Sequence, residues 1–288
     1  MKKLMFLAIA AITAFSISAQ EFEDFFSTEK SNEKVTFGFR LGLNINGMRN
    51  NIHDNDVSKI FGDLPYILDV HKKAGLNFGI SIDIPVLKNL WVNTGVYYTA
   101  TGAKFSFKQD NSKIVEGTYL DDYTANITMH NVRVPVQASY RYNINNNYQL
   151  QVNLGPYFAY GFGGKAYIHN DVKKEKLGDL NLTGNPKFNY ITYMDEDIID
   201  GSILNPDQAE RDEVQILGVN NINDKNSNYV NPFDMGIAFG VGVTFNKKYF
   251  AGFNYDGGLV NVNGKRLRAL NHNSMKNHTF SINLGYNF

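Results

Sequence analysis

Residues 278–288, the last of the chain, read HTFSINLGYNF. Every second position is apolar and the positions between are polar or small, which is the period of a β-strand with one apolar face. The apolar positions are Phe280, Ile282, Leu284, Tyr286 and Phe288. A soluble β-sandwich strand can alternate in this way, but a final aromatic is typical of outer-membrane β-barrels, whose last strand faces lipid outside and a polar lumen inside. We predict that this apolar set is an assembly signal for the barrel assembly machinery.

The other end of the chain indicates export. A positive start precedes the apolar run Leu4–Ile17, and small residues follow it, as in a signal peptide. A retained anchor helix is the weaker alternative, because the run is shorter than about 18 residues and an acidic stretch follows at once. We predict a signal peptide at 1–19, a periplasmic tail at 20–34 and the barrel at 35–288. The absence of cysteine excludes a lipoprotein anchor and disulfides.

Composition narrows the class further. The chain has 28 basic and 28 acidic residues, and this balance argues against nucleic-acid binding. After the signal region no apolar run approaches about 18 residues, which excludes helical membrane spans. The 17 Tyr, 21 Phe and 25 Gly residues suit a β protein, either secreted or embedded in a membrane.

Seven further segments repeat the alternation of the last one, so we predict an eight-stranded antiparallel up-and-down transmembrane β-barrel. A shift of one residue would exchange the two faces of a strand, so each clean alternation specifies a register. The small and polar face must line the lumen, because eight strands leave a narrow interior. Ile127 and Met129 have the opposite parity to the strand that follows them, which suggests a bulge or a loop end there. The seven segments lie at 35–46, 75–84, 90–99, 132–142, 149–162, 234–245 and 249–256.

The connections alternate in length, as they do in outer-membrane barrels with short periplasmic turns and long extracellular loops. The short ones are at 85–89, 143–147 and 246–248, and the long ones are at 47–73, 104–126, 164–232 and 257–277. The segment 164–232 shows no sustained alternation, so we predict one long extracellular loop there, without strands that belong to the barrel.

Four stretches together resemble the PorT-like outer-membrane β-barrel family. They are FGFRLGLNINGM (37–48), GISIDIPVLKNLWVNTGVYY (79–98), VRVPVQASYRY with LQVNLGPYFAYGFGG (132–164), and the final FSINLGYNF. The resemblance implies a barrel in the bacterial outer membrane and little about function, although one member of the family is an accessory of a protein-secretion system. The loop at 164–232 departs from the compact version of the pattern, so we expect the specific properties of this chain there.

Candidate catalytic residues are few. Barrel enzymes use a His and a Ser near the outer rim, and the chain offers such residues close to its last strand. They are His272, Asn273, Ser274, His278 and Ser281. Ser and Asn are abundant throughout the chain, and Ser281 points to the lumen whereas acyl chains lie outside. We therefore expect a histidine that faces the lumen beside a polar neighbour rather than catalysis.

The long loop also carries clustered carboxylates, which are the ligands that Ca²⁺ prefers. They are Asp195, Glu196, Asp197, Asp200, Asp207, Glu210, Asp212 and Glu213. Their spacing matches no calcium loop with a central Gly and a closing Glu. We predict a solvated acidic loop rather than a metal site.

Charged residues on the polar face indicate a blocked lumen. When odd strands rise from the periplasm and even strands descend, one group of charges lies low in the barrel and another lies high. The low group is Arg40, Asp83 and Arg141, and the high group is Arg133, Asp234 and Asp256. Each group has both signs, and an unpaired charge in a narrow lumen costs several kcal/mol. We predict an ion-pair network that plugs the lumen.

The sequence leaves three functions open. The first is a non-enzymatic barrel, a monomer without cofactor, whose outer loops bind a partner or which assists envelope transport or secretion. Its expected surroundings are outer-membrane lipid and lipopolysaccharide. The second is a lipid- or peptide-processing barrel enzyme. The third, a small-solute porin, is disfavoured because eight strands leave an interior filled by side chains.

Overall fold

The computed structural model describes residues 29–50, 66–109, 122–171, 175–182, 190–194, 231–262 and 274–288. Its strands are β1 (Thr36–Asn50), β2 (Tyr66–Pro85), β3 (Leu90–Gln109), β4 (Tyr123–Asn143), β5 (Tyr148–Asn170), β6 (Glu175–Leu182), β7 (Tyr190–Met194), β8 (Phe233–Phe245), β9 (Tyr249–Gly258) and β10 (Met275–Asn287). Within these ranges, no helix is both long enough and apolar enough to cross a membrane.

Eight of the strands close into an antiparallel barrel, which confirms the predicted fold. The order around the wall is β1, β2, β3, β4, β5, β8, β9 and β10, and β10 returns to β1. The closing register runs from Gly38 opposite Asn287 to Asn50 opposite Met275. The amide of Phe288 donates to the carbonyl of Phe37 at 2.8 Å, so the first and last strands seal the wall to the end of the chain.

The barrel is apolar outside and polar inside, as the alternation predicts. Leu43 and Leu284 on the outer face are 65% and 63% exposed, whereas Arg40 and Asp83 on the inner face are 5% and 1% exposed. On β1 the exposed apolar positions run from Phe37 to Ile45. Lipid is the medium that favours such a surface, and we call this stretch and its neighbours the lipid-facing band.

The turns at one end of the barrel are as short as predicted. β2 ends at Pro85 and β3 begins at Leu90, and the other two hairpins are equally tight. Asn246 and Lys247 both have positive φ, at 51° and 58°, and the amide of Lys248 donates to the carbonyl of Phe245 at 3.0 Å. Positive φ at both central positions is typical of a type I′ turn, whose twist matches that of the flanking strands.

The strands extend further at the opposite end than the sequence predicts. β2 begins at Tyr66, β3 ends at Gln109 and β4 begins at Tyr123, so the connections there are shorter than predicted. The bulge also lies on a different strand. β4 keeps one register with β3 from Tyr97 to Phe107, whereas β5 has an extra residue, Phe162, in its pairing with β4.

Because β4 keeps its parity, Ile127 and Met129 lie on the same face as the lumen residues below them. Their partners on β3 are Ala103 and Thr101, and Ala103 is fully buried. The opposite parity of these two apolar residues therefore reflects a change in what lines the interior, not a break in β4.

The segment predicted as one long loop contains two strands, β6 and β7, although neither belongs to the closed barrel. β8 stops pairing with β5 at Tyr160, and above that level β5 pairs with β6, which pairs with β7. Bulges explain why the sequence did not show these strands. Leu177 has no partner in the pairing of β6 with β5. A similar register shift follows Asp179 in the pairing of β6 with β7. Because of these shifts, neither β6 nor β7 shows a clean alternation of apolar and polar residues.

Part of the predicted periplasmic tail lies against the short turns. Glu29 forms an ion pair with Lys88 at 3.5 Å, and Glu33 forms one with Lys247 at 3.7 Å. Lys30 also bridges to Leu87 in the β2–β3 turn. The predicted signal peptide lies outside the described residues.

Candidate functional site

The lower part of the lumen holds a cluster around one carboxylate. Asp83 lies 2.7 Å from Nη2 of Arg141 and 3.9 Å from Nη2 of Arg40. The Arg141 contact does not meet hydrogen-bond angles, so it is an ion pair rather than a directed bond. Nδ2 of Asn93 donates to Oδ1 of Asp83 at 2.6 Å. Thus one buried carboxylate contacts two guanidinium groups, one from β1 and one from β4, and the three groups together keep a net charge of +1.

Aromatic rings support both of these arginines. The guanidinium carbon of Arg141 is 4.2 Å from the ring centroid of Trp91, and that of Arg40 is 4.4 Å from the ring centroid of Phe250. Cations are attracted to the faces of aromatic rings. Arg40 also lies against Gly285, where a Cβ atom would collide with its side chain. The site therefore needs glycine at this position.

The upper part of the lumen holds a second cluster. Nη2 of Arg133 donates to Oδ1 of Asp256 at 2.7 Å. Asp234 forms no ion pair within the described ranges and instead accepts hydrogen bonds from the Tyr157 hydroxyl at 3.2 Å and from Nδ2 of Asn277 at 3.1 Å. The prediction of an ion-pair partner for Asp234 is therefore wrong, because the guanidinium of Arg133 is directed at Asp256.

A cavity of about 50 Å³ separates the two clusters. Its lining includes Arg40 from below, Arg133 and Asp256 from above, and amide side chains between them. A water needs roughly 10 to 15 Å³ of such space, so the cavity has room for a few waters.

Sequence reasoning did not identify the residues that position these charges. The alternation places four of them on the inward faces of their strands, but it assigns them no role. They are Trp91, Asn93, Tyr157 and Phe250. The available signal was an aromatic side chain on a face that is otherwise small and polar. An aromatic there suggests contact with a buried cation.

The candidate catalytic residues that the structure describes, Ser274, His278 and Ser281, do not form a site. Ser281 lines the lumen cavity, whereas His278 shares the outer face of Phe280 and packs over Gly47 of β1. The expectation of a histidine that faces the lumen is therefore wrong, because His278 lies an even number of residues from Phe280. Ser274 precedes β10, and His272 and Asn273 lie outside the described residues.

The acidic positions between 195 and 213 also lie outside the described residues. In the part of the chain that the structure does describe, no three His, Cys, Asp or Glu side chains come together as a metal site.

The predicted assembly residues all face outward. Phe280, Ile282, Leu284, Tyr286 and Phe288 are 49%, 54%, 63%, 38% and 81% exposed. Tyr286 contacts the rings of Phe288 and Tyr249 edge-on, with centroids 5.7 Å and 5.6 Å apart. This aromatic group lies beside the short turns, at the level where barrels carry an interfacial aromatic girdle.

Comparison with known proteins gives one family match. A profile of the family described as "Outer membrane protein beta-barrel domain" matches residues 19–264. No curated protein sequence matches the chain. The narrower resemblance to PorT-like proteins stays a prediction.

Several solved structures resemble the chain at low sequence identity. Ail, the attachment invasion locus protein of Yersinia pestis, solved with the heparin analogue sucrose octasulfate, has 10% identity and a TM-score of 0.34 over 89% of this chain and 100% of its own. Neisserial surface protein A has 9% identity and a TM-score of 0.35 over 89% and 100%. OprG from Pseudomonas aeruginosa has 10% identity and a TM-score of 0.35 over 90% and 97%. Likeness at this level supports no conclusion about function.

Proposed function

The chain belongs to the outer membrane protein beta-barrel domain family and is a bacterial outer-membrane protein. From this premise we propose that it is a non-enzymatic barrel with a sealed lumen, whose extracellular strands bind a partner or a surface ligand. The resemblance to PorT-like proteins extends the proposal to assistance of protein secretion. The observation that carries the proposal is the sheet that rises from β5 beyond the barrel.

This outer sheet has the geometry of a binding surface. β5 leaves β8 at Tyr160 and continues to Asn170, with β4 on one side and β6 on the other. The strand rises about 3.3 Å per residue, so the section from Gly161 to Asn170 extends roughly 30 Å along its axis. Binding residues concentrate on connecting segments that a rigid scaffold holds in position, and the outer sheet supplies such a scaffold.

The lumen supports a protein that is not a porin. Arg40, Asp83 and Arg141 occupy the lower level, and Arg133 and Asp256 occupy the upper level. These charges are fixed by hydrogen bonds, rings and each other. A permeating ion would have to separate them in a medium where separating charges is costly.

Catalysis has less support. Ser281 and His278 lie on opposite faces of β10, and proton transfer between a nucleophile and its base needs the two side chains within hydrogen-bond reach. The two side chains could come within that distance only if the wall of the barrel opened between them.

The test compares two deletions of the outer section. In the first variant, residues 164–230 are removed and a short Gly-Ser turn joins Gly163 to Asn231, because the amide of Gly161 already donates to the carbonyl of Pro232 at 2.7 Å. In the second, β5 is kept to Asp171 and residues 172–230 are replaced by about 15 Gly and Ser residues, enough to return along roughly 33 Å of strand.

Both variants should insert as folded barrels, seen as a heat-dependent shift of mobility on gels, and both should lose the partner that wild type captures on intact cells. A matched control inserts the same linker between Asn145 and Asn146 in a short periplasmic turn, and it should keep the partner. If either deletion keeps wild-type capture, the outer sheet is not the binding element. If neither deletion inserts, the outer section belongs to the barrel fold and the proposal fails.

A further inference from the structure

Three cations lie together on the outer surface of β1, β2 and β10, just above the lipid-facing band. Arg49 and Lys276 are direct partners in the register of β1 and β10. Nζ of Lys72 is 5.8 Å from the ring centroid of Phe280, which is 49% exposed on the lipid-facing side. Arg49 and Lys72 are exposed and Lys276 is half-buried. We call Arg49, Lys72 and Lys276 the rim cations.

The rim cations are at the height of the lipid headgroups. The exposed apolar positions of β1 end at Ile45, and Arg49 is four residues further along the strand. With a rise of about 3.3 Å per residue and a strand tilt near 40°, this places its Cα about 10 Å above Ile45. Lys73 is opposite Asn46 and β2 runs antiparallel to β1, so Lys72 is level with Gly47, between the heights of Ile45 and Arg49. The polar layer on each side of a bilayer is roughly 5 to 8 Å thick, within reach of these long side chains.

The rim cations have no carboxylate partner among the residues that the structure describes. At the other end of the barrel, by contrast, Lys88 and Lys247 are each paired with a glutamate. Arg49 and Lys276 also face each other directly, and like charges opposite each other destabilise an antiparallel pair. An anion between them would remove this repulsion.

We propose that the rim cations bind the phosphate groups of a phosphorylated lipid headgroup in the outer leaflet, of the lipopolysaccharide class. The guanidinium of Arg49 presents two parallel donors that match two phosphate oxygens, and the ammonium groups of Lys72 and Lys276 act as point charges beside it. The exposed ring of Phe280 below them is placed to contact the acyl chains of the same lipid. This inference rests on the location of the barrel and not on the partner proposed for its outer sheet.

The test measures lipid binding to the purified full-length chain in uncharged detergent micelles by native mass spectrometry. The probes are bisphosphorylated lipid A and the same lipid without its phosphates, with inorganic phosphate as a competitor. The triple variant Arg49→Gln, Lys72→Gln, Lys276→Gln removes the rim cations. The matched control Lys88→Gln, Lys247→Gln, Lys248→Gln removes the same number of charges at the opposite end.

Wild type and the control should bind the phosphorylated lipid equally, and the rim variant should bind it more than about tenfold more weakly, as the loss of charge-assisted contacts predicts. All three proteins should bind the dephosphorylated lipid alike. Equal binding of the phosphorylated lipid by the rim variant and wild type would overturn the proposal, as would an equal loss in the control. Full displacement of the lipid by millimolar inorganic phosphate would show a site for free phosphate and overturn the assignment to a lipid.

Folding of each variant is checked by its heat-dependent gel mobility. If the triple variant does not fold, the single variants Arg49→Gln and Lys276→Gln take its place. Each should still weaken binding of the phosphorylated lipid several-fold and leave binding of the dephosphorylated lipid unchanged. Unaltered binding by both single variants would contradict the site.

Discussion

The side chains that β3 directs into the barrel are polar in one section of the strand and apolar in the other. Near the short turns the inner face carries Asn93 and Thr99, and the outer face carries Val96, which is 56% exposed. Beyond Thr101 the inner face carries Ala103 and Phe105, which are 0% and 4% exposed, and the outer face carries exposed lysines. No bulge separates the two sections in the pairing of β3 with β4 from Tyr97 to Phe107.

The medium outside each section explains the difference. In the lipid-facing section, apolar side chains on the outer face are stabilised by contact with lipid. The narrow interior has room for small, polar and paired charged residues. In the section beyond it the lysines of the outer face, Lys104 and Lys108, are exposed to water, and the interior follows the ordinary rule that apolar side chains are buried. The same strand therefore behaves as a membrane strand over one half and as a strand of a soluble protein over the other.

The largest effect should come from the charges of the membrane section. Asp83→Ala leaves Arg40 and Arg141 buried without their carboxylate, so the free energy of unfolding should fall by about 3 to 5 kcal/mol. Urea titration of the protein in micelles would measure it, with fluorescence of the single tryptophan, Trp91, as the reporter.

Asp69 offers the matched control for this substitution. Asp69 pairs with Lys108 at 3.9 Å, but both side chains are about half exposed, at 48% and 57%. Asp69→Ala should therefore cost less than about 1 kcal/mol. Equal losses for the two aspartates would show that the lumen cluster is as solvated as the surface pair.

A slightly smaller effect is expected in the outer section. Phe105→Ala should lower the free energy of unfolding by about 3 kcal/mol, because it leaves a cavity among buried side chains. Val96→Ala on the lipid-facing side should cost less than about 1 kcal/mol, since lipid can fill the space. A negligible loss at Phe105 would mean that the outer section has no packed interior.

Reversing polarity on the outer face tests the comparison directly. Leu41→Arg, near the middle of the lipid-facing positions of β1, should destabilise the barrel by about 2 to 3 kcal/mol in lipid vesicles. The reverse change, Lys104→Leu, should stay within about 0.5 kcal/mol, because Lys104 is exposed outside the band. Similar costs at the two positions would remove the distinction between the two sections.

The smallest effect on stability is expected at the end of the chain. Deleting Phe288 removes one hydrogen bond to Phe37 and a ring that is 81% exposed. The free energy of unfolding should therefore fall by about 1 kcal/mol. Insertion in cells should fall much more, because the closing strand loses its terminal aromatic. Normal amounts of heat-modifiable barrel after Tyr286→Ser and Phe288→Ser together would contradict the assembly role.

The sequence predicts the membrane section well for a physical reason. Lipid outside and a narrow lumen inside force a strict period of two, so the parity around Leu41 or Ile282 gives strand, face and register together. The same reasoning fails above the band, where the interior becomes apolar. Ile127 and Met129 then have the parity of the lumen and look like a break in the pattern.

The lumen clusters were predictable in part for a similar reason. Parity and strand direction place Arg40 and Asp83 at one level, which is enough to predict that they meet. They do not tell which donor each carboxylate finds. Asp234 takes a tyrosine and an amide because Arg133 is already paired with Asp256, and only the three-dimensional arrangement decides between the two.

The central claim is that buried charges seal the lumen and that the protein acts outside it. Recording in planar bilayers with the purified full-length protein tests it most directly. The account predicts no steady large conductance for the wild type, because the Arg40–Asp83–Arg141 cluster and the Arg133–Asp256 pair cross the lumen at two levels. A stable, ohmic current of porin size through the wild-type protein would contradict it.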